Sequence, residues 1–170
     1  MSDTHIAAFA LAALACVWDL KTGRIPQAIT LGGAALGVAY HIAVGGSSAG
    51  VASLAGWGIG LLVFLLPFAL GGLGAGDVKL LGALGAWLGP TDAVWLAIYT
   101  GVAGGVIALL WSVLNGYLKQ AIRNVYLLLM FWRVGGVRPL PELTLEQGRG
   151  PRLAYAVPIL AGMMVTLWLR

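Results

Sequence analysis

Apolar residues occur in six runs along the chain, and short polar turns separate most of them. The runs cover residues 5–20, 27–45, 50–71, 78–90, 92–117 and 152–169. A helix needs about 20 apolar residues to cross a bilayer core, so the first and fourth runs are short and their ends are loosely defined. Because lipid offers no partner for backbone N–H and C=O groups, the pattern predicts one all-α bundle of about six transmembrane helices.

One longer polar segment precedes the last run. Residues 134–151 are rich in proline, glycine and charged side chains, and the run at 117–133 before them can lie along a membrane surface. We predict that residues 118–151 form an interfacial segment and a cytoplasmic loop. The chain, residues 1–170, is then a single membrane-embedded domain.

The charge distribution predicts the orientation of the bundle. Charged residues make up only 9% of the chain and the mean hydropathy is +0.93, which leaves no stretch polar enough for a water-soluble domain. Six spans place nine of the ten lysines and arginines on one side, with only Arg170 on the other. That side is predicted to be cytoplasmic, with both termini periplasmic. The net charge of +4 then reflects topology and anionic lipid headgroups, and gives no case for nucleic-acid binding.

Glycine and proline mark helix ends and helix contacts. Gly23 is expected to close the first helix and Pro26 to open the second, so that residues 19–26 form a short cytoplasmic turn. Glycines four residues apart let helix backbones approach closely, and we expect about half of such pairs to do so. The pairs are Gly33/Gly37, Gly56/Gly60, Gly85/Gly89 and Gly101/Gly105.

Two acids stand at the same predicted end of the bundle. Asp19 ends the first apolar run, and Asp77 follows the glycine-rich residues 71–76 and directly precedes the fourth. Acids in such apolar surroundings are costly and tend to be functional. Two carboxyls that share one proton can activate water against an amide. Gly74 and Gly76 would let an extended substrate backbone come close, since they have no side chains.

These residues resemble the signatures of the type IV prepilin peptidases. Residues 74–77 form a Gly-x-Gly-Asp motif, residues 19–26 resemble the second signature, and residues 153–158 resemble a stretch near the end of these proteins. The resemblance is to the small members of this aspartic protease family that serve Tad/Flp-type pili and lack an N-terminal extension. One departure is Gln27, where the family usually has Asn.

The resemblance implies an aspartic endopeptidase of the bacterial inner membrane. It would remove the short basic leader of prepilins, in which an apolar helix follows the leader, at the cytoplasmic face. Asp19 and Asp77 would be the catalytic pair, and the bilayer would surround the protein. The possible supporting residues are Lys21, Ile25, Pro26 and Lys79. No cofactor is expected, and without a methyltransferase domain the chain is expected to cleave and not to methylate. The oligomeric state is left open.

Each motif also has a structural interpretation. The two acids can be carboxylates at helix ends at the interface, and Lys79 is more readily a headgroup-facing lysine than a base. Asp92 is expected to be a helix N-cap on the far side. His5 and His41 lie toward that side, so no metal site is predicted.

Other motifs exclude further classes of site. Cys16 is the only cysteine, which excludes a disulfide and a four-cysteine zinc module. The glycine run lacks the ending of a nucleotide-binding loop. Two rival functions remain: a small proton-coupled transporter or channel component, whose acids usually lie near the midplane, and a non-catalytic membrane protein of pilus assembly.

Helix dipoles predict different roles for the two acids. Asp19 lies in the last turn of its helix, where the dipole disfavours ionisation, and Asp77 lies at a helix start, where the dipole favours it. The hypothesis is that Asp77 is the base and that Asp19 carries the shared proton. The pairing is firmer than this assignment, because coupled carboxyls titrate as a unit.

Overall fold

A computed structural model describes residues 2–116, 118–135 and 154–169. The helices are α1 (Asp3–Thr22), α2 (Gln27–Ala69), α3 (Ala75–Leu88), α4 (Pro90–Leu114), α5 (Leu118–Gly135) and α6 (Ala156–Leu169). These described ranges contain no strand, which confirms the all-α class. Most of the predicted loop at 134–151 lies outside the described residues.

The first two helices are joined by the predicted short turn. Gly23 ends α1 with a positive φ of 66°, and its N–H donates to the carbonyl of Asp19 at 2.7 Å. This left-handed conformation is the ordinary helix ending that glycine favours. The Thr22 hydroxyl donates to the Arg24 carbonyl at 2.9 Å and fastens the turn. Pro26 then precedes α2 as its N-cap, so α2 begins one residue later than predicted.

The long helix α2 folds back on itself at Gly46. This glycine has φ 71° and ψ −166°, which are not helical. The Ser53 hydroxyl donates to the Ala86 carbonyl at 2.6 Å, and a Cβ on Gly37 would lie 3.3 Å from the carbonyl carbon of the same Ala86. In a straight helix, residues this far apart in sequence would be separated by about 24 Å. The halves 27–45 and 47–69 are therefore antiparallel, as the two separate apolar runs predicted.

The lengths of the helices qualify the six-span prediction. α1, α2 and α4 are long and apolar enough to cross a membrane, and the fold at Gly46 gives α2 two passes. α3 and α6 have 14 residues each, or about 21 Å, against a hydrocarbon core of about 30 Å. The fourth run is short, as predicted, whereas α1 is longer than expected for the first run and α6 covers only residues 156–169 of the last run.

The short helix α3 forms the centre of the bundle. Its residues 80–86 are all buried, and Leu80, Leu81 and Leu84 are each at most 1% exposed. It packs most extensively against both halves of α2, and also against α1 and α4. A helix surrounded in this way is held by protein contacts on nearly every side, so its N-terminal end has a fixed place in the bundle.

Glycines let α3 approach α2 closely. A Cβ on Gly56 would lie within 3 Å of backbone atoms of Gly85 and Gly89, and a Cβ on Gly60 would meet the Leu81 backbone. The predicted Gly56/Gly60 and Gly85/Gly89 pairs are therefore confirmed as backbone contacts. Gly33 and Gly37 pack against the side chains Leu11 and Trp87, whereas Gly101 and Gly105 have no neighbour within 4 Å of an added Cβ.

The chain ends meet at one end of the bundle. His5 Nε2 lies 3.9 Å from Asp92 Oδ2, which puts the starts of α1 and α4 together. α4 and α6 are antiparallel, since Tyr155 packs on Gly104 and Thr100 packs on Gly162. The end of α6 therefore lies beside the start of α4.

One sequence prediction in this region is wrong, and another stays a prediction. Asp92 is not the N-cap of α4: Gly89 caps the helix, Pro90 is its first residue, and Asp92 lies in its first turn. Pro90 is favoured at this first position because its missing N–H would have no partner there. The helix α5 packs against α4, and its predicted position along the membrane surface stays a prediction.

Candidate active site

Asp19 is held at the end of α1 opposite the chain ends. It lies in the last turn of the helix, as predicted, and only 9% of it is exposed. The backbone N–H of Ala156, at the start of α6, lies close to its carboxyl group. α6 thus contributes to the site through its first residue.

Asp77 lies in the first turn of α3. It is the third helical residue and not, as predicted, the residue before the helix. Its Oδ2 accepts a hydrogen bond from the Gly74 N–H at 3.2 Å. A carboxylate at this position satisfies one of the free amides of the helix start. The bond fixes the side chain over the glycine run, because donor and acceptor are only three residues apart.

The two acids line one cavity of about 300 Å³. Of the predicted site residues, Gly74, Gly76, Ile25 and Lys79 also line it. Lys21 is exposed and Pro26 is half-buried, and neither lines the cavity. The wall is completed by four residues of the same segments, which are Gly23, Arg24, Gln27 and Ala75.

Folding therefore brings together two segments that are far apart in sequence. The turn between α1 and α2 faces the glycine run before α3, and a Cβ on Gly76 would lie 3.3 Å from the Cβ of Ile25. Gln27, the departure from the family pattern, faces the same cavity. Its amide can donate to a carbonyl and accept from an N–H. The cavity wall therefore carries both acids, this amide and the basic side chains of Arg24 and Lys79.

The pKa of Asp77 corrects the dipole argument. Burial, helped by the charge of Asp19, raises this pKa to about 6, against the opposing hydrogen bond from Gly74. The positive end of α3 should lower the pKa. The loss of hydration on burial and the like charge of Asp19 raise the pKa by more than the helix dipole lowers it. Asp77 is thus harder to ionise than an ordinary aspartate, the reverse of what its helix position predicts.

Sequence reasoning missed the part that α6 contributes to the site. Tyr155 packs edge-on against Phe64, with ring centroids 6.3 Å apart. Burial raises the pKa of Tyr155, and the charge of Asp77 adds to the effect. The family-like stretch at 153–158 was the available signal. Only the tertiary fold brings its Tyr155 and Ala156 into the neighbourhood of the two acids.

The remaining candidate ligands lie elsewhere. His5 faces Asp92 at the other end, and His41 Nδ1 lies 2.9 Å from the Gly37 carbonyl. Cys16 is buried in α1 as a free thiol. Within residues 2–116, 118–135 and 154–169, no group of three or more His, Cys, Asp or Glu side chains could hold a metal ion.

Comparison with known proteins gives one family and several relatives. A family model described as the type IV leader peptidase family matches residues 6–109, which include both acids. A prepilin leader peptidase/N-methyltransferase of Pectobacterium carotovorum subsp. carotovorum is 36% identical over 101 residues, which are 56% of this chain and 36% of that protein. A protein of the same description from Burkholderia pseudomallei (strain 1026b) is 36% identical over 121 residues, 64% of this chain and 38% of its own length.

The matched part thus spans little more than a third of the length of these curated relatives. No solved structure matches the chain.

Proposed function

The chain belongs to the type IV leader peptidase family, and from this premise we propose that it is an aspartic endopeptidase that removes the short basic leader of Flp-type prepilins. The observation that carries the proposal is the single cavity lined by Asp19, Asp77 and the glycine run. The relatives' name, prepilin leader peptidase/N-methyltransferase, supports a prepilin substrate. Of the two activities in that name we propose the peptidase alone, because the acids are the chemistry that the described residues assemble.

The proposed chemistry uses the acids as a pair that holds one proton. A water between them gives a proton to the ionised carboxylate, and its oxygen attacks the scissile carbonyl carbon. The protonated carboxyl donates to the carbonyl oxygen, so no full negative charge develops there. The tetrahedral intermediate then collapses: one of its hydroxyl groups returns a proton to the carboxylate that had donated it, the C–N bond breaks, and the leaving amine takes up the proton that the other carboxyl had taken from water. Leader and mature protein are the two products.

We assign the shared proton to Asp77. Its raised pKa of about 6 makes its protonated form accessible near neutral pH, so Asp77 donates to the carbonyl oxygen and Asp19 takes the proton from water. This reverses the assignment from helix dipoles. The Ala156 amide positions the Asp19 carboxylate as base. Arg24 and Lys79 on the cavity wall balance the charge of the pair without taking part in proton transfer.

The protein is proposed to be a multi-pass protein of the bacterial inner membrane with the cavity at the cytoplasmic face. The helices able to cross a membrane support the first part, and the excess of basic residues on the aspartate side supports the second. Reporter fusions at Arg170 and near Glu142 test the orientation. We expect the first to report periplasm and the second cytoplasm; a cytoplasmic Arg170 would overturn it.

The direct test is cleavage of a candidate Flp-type prepilin in co-expression. Wild-type chain should shorten the prepilin by its leader on a gel, and the Asp77→Asn variant should leave it intact while accumulating to the same level in the membrane. The mass of the mature N-terminus tests the second expectation, that no methyl group is added. Processing by the Asp77→Asn variant would reject the acid pair and return the transporter and assembly functions to consideration.

A further inference from the structure

A second concave surface lies on α2. It is an apolar groove of about 450 Å³ between the antiparallel halves of α2. Its lining includes the small side chains of Ala34, Ala35 and Ala39 and larger ones such as Leu31 and Trp57. The other lining residues are Val38, Ile42 and Leu54.

The groove lies on the same face of α2 as Gln27, which lines the active-site cavity. Gln27 lines the cavity, and Leu31, the first groove residue, lies one helical turn further on. At 100° per residue, positions 27, 31, 34, 35, 38 and 42 all fall on one side of the helix. From Gln27 to Ile42 the stripe is about 22 Å long. A chain leaving the cavity on this side therefore meets apolar surface at once.

The groove opens away from the bundle. Leu31, Ile42 and Leu54 are 48%, 51% and 51% exposed, and they belong to a helix long and apolar enough to cross a membrane. An occupant must therefore be apolar. The small alanine side chains of the groove let another helix approach closely, which is how helices associate within lipid.

We propose that this groove binds the apolar helix of the substrate that follows the scissile bond. The inference rests on the proposed function, because it takes the occupant of the cavity to be a prepilin. The substrate helix begins beside Gln27 and runs parallel to residues 27–45, with a ridge of its side chains over Ala35 and Ala39. A lipid acyl chain or a second copy of this chain would have no reason to continue into a cavity with two acids.

A groove-filling variant separates this binding from catalysis. Ala39 is exposed, so Ala39→Phe fills the groove without entering the core; Ala55→Phe, at an exposed position that does not line the groove, is the matched control. Two purified substrates are compared: the full-length prepilin and a peptide with the leader and the first few mature residues. We expect Ala39→Phe to raise KM for the full-length prepilin about tenfold with kcat kept, and to leave peptide cleavage unchanged.

The outcomes are distinguishable. Equal cleavage of full-length prepilin by Ala39→Phe and Ala55→Phe would reject the groove, and wild-type chain that cleaves neither substrate would reject the proposed function. Equal loss on both substrates by Ala39→Phe would mean a structural defect and would also reject selective docking. Cross-linking then names the occupant: in an Asp77→Asn background, Ala39→Cys should link to prepilin cysteines at every third or fourth position. Links only between two copies of the chain, or none, would overturn the proposal.

Discussion

Two aspartates occupy the same local position at opposite ends of the bundle. Asp77 is the third residue of α3 after the capping Gly74, and Asp92 is the third residue of α4 after the capping Gly89. Both lie in a first helical turn, where free amides and the helix dipole favour a carboxylate. Their tertiary neighbours differ. Asp92 faces His5 Nε2 at 3.9 Å, whereas Asp77 shares a cavity with a second acid.

The comparison shows that the tertiary neighbours of Asp77, and not only its position in the helix, decide its pKa. The neighbour of Asp92 is an imidazole group at 3.9 Å. Burial and the charge of Asp19 raise the pKa of Asp77 to about 6. The same local motif thus carries a carboxyl group beside a histidine at one end and a carboxyl group with a raised pKa at the other.

The largest expected effect is on cleavage. Asp77→Asn and Asp19→Asn should each lower the rate of leader removal by about 10³-fold or more, because each acid transfers a proton in the proposed step. Asp92→Asn makes the same change at the matched position of α4 and should stay within about twofold of wild type. The measurement is the initial rate of prepilin shortening in detergent micelles. A comparable loss in Asp92→Asn would show that the two ends do not differ in function.

A second test concerns the residue before each acid. Gly76 lines the cavity, and an added Cβ would already lie 3.3 Å from the Cβ of Ile25. Gly76→Val should therefore block cleavage while the protein accumulates in the membrane. Thr91, the equivalent residue of α4, is exposed, and Thr91→Val should process prepilin normally. Normal processing by Gly76→Val would remove the argument that the glycine admits the substrate backbone.

Much of this arrangement could be predicted from the sequence. The apolar runs predicted the helices of the bundle, including the two halves of α2, because membrane helices must be both long and apolar. Gly23 and the residues around it predicted the turn after α1. The topology alone put Asp19 and Asp77 at one end, since helices of alternating direction return there.

What escaped prediction depends on contacts between distant residues. The place of Ala156 beside Asp19 follows from how α6 packs, which no local pattern encodes. The pKa of Asp77 was expected in the wrong direction, because the dipole can be read from sequence and burial cannot. Pro90 as the first residue of α4 moved the cap from Asp92 to Gly89, although proline's preference for that position is a sequence rule.

A third prediction separates the two causes that raise the pKa of Asp77. Asp19→Asn removes the like charge and keeps the burial, so the pKa of Asp77 should fall below its value of about 6 and stay above the ordinary value of about 3.9. Vibrational spectroscopy of the carboxyl band across pH gives this pKa. Asp92→Asn is the control and should leave it unchanged. An unchanged pKa in Asp19→Asn would show that the acids do not interact.

The smallest expected effect is on stability. Replacing the acid with asparagine should stabilise the protein at Asp77 and destabilise it at Asp92. Because the folded-state pKa of Asp77 is raised to about 6, the folded state holds a proton that the unfolded state has lost between about pH 4 and pH 6. The free energy of unfolding therefore falls as pH rises through this window. Asp77→Asn removes the penalty and keeps an oxygen for the Gly74 N–H, so above pH 6 it should unfold less readily than wild type.

The expected gain is roughly 1–2 kcal/mol, after allowance for the partial exposure of the side chain, and it should vanish near pH 4. Asp92→Asn loses the 3.9 Å contact of its carboxyl group with His5 and should lower the free energy of unfolding by less than about 1 kcal/mol. Thermal unfolding in detergent at pH 4 and pH 7.5 measures both. A gain of stability in Asp77→Asn above pH 6 is the result expected of a carboxyl group that holds the proposed shared proton. A loss of stability in Asp77→Asn at pH 7.5 would instead make Asp77 an ordinary helix-start carboxylate like Asp92.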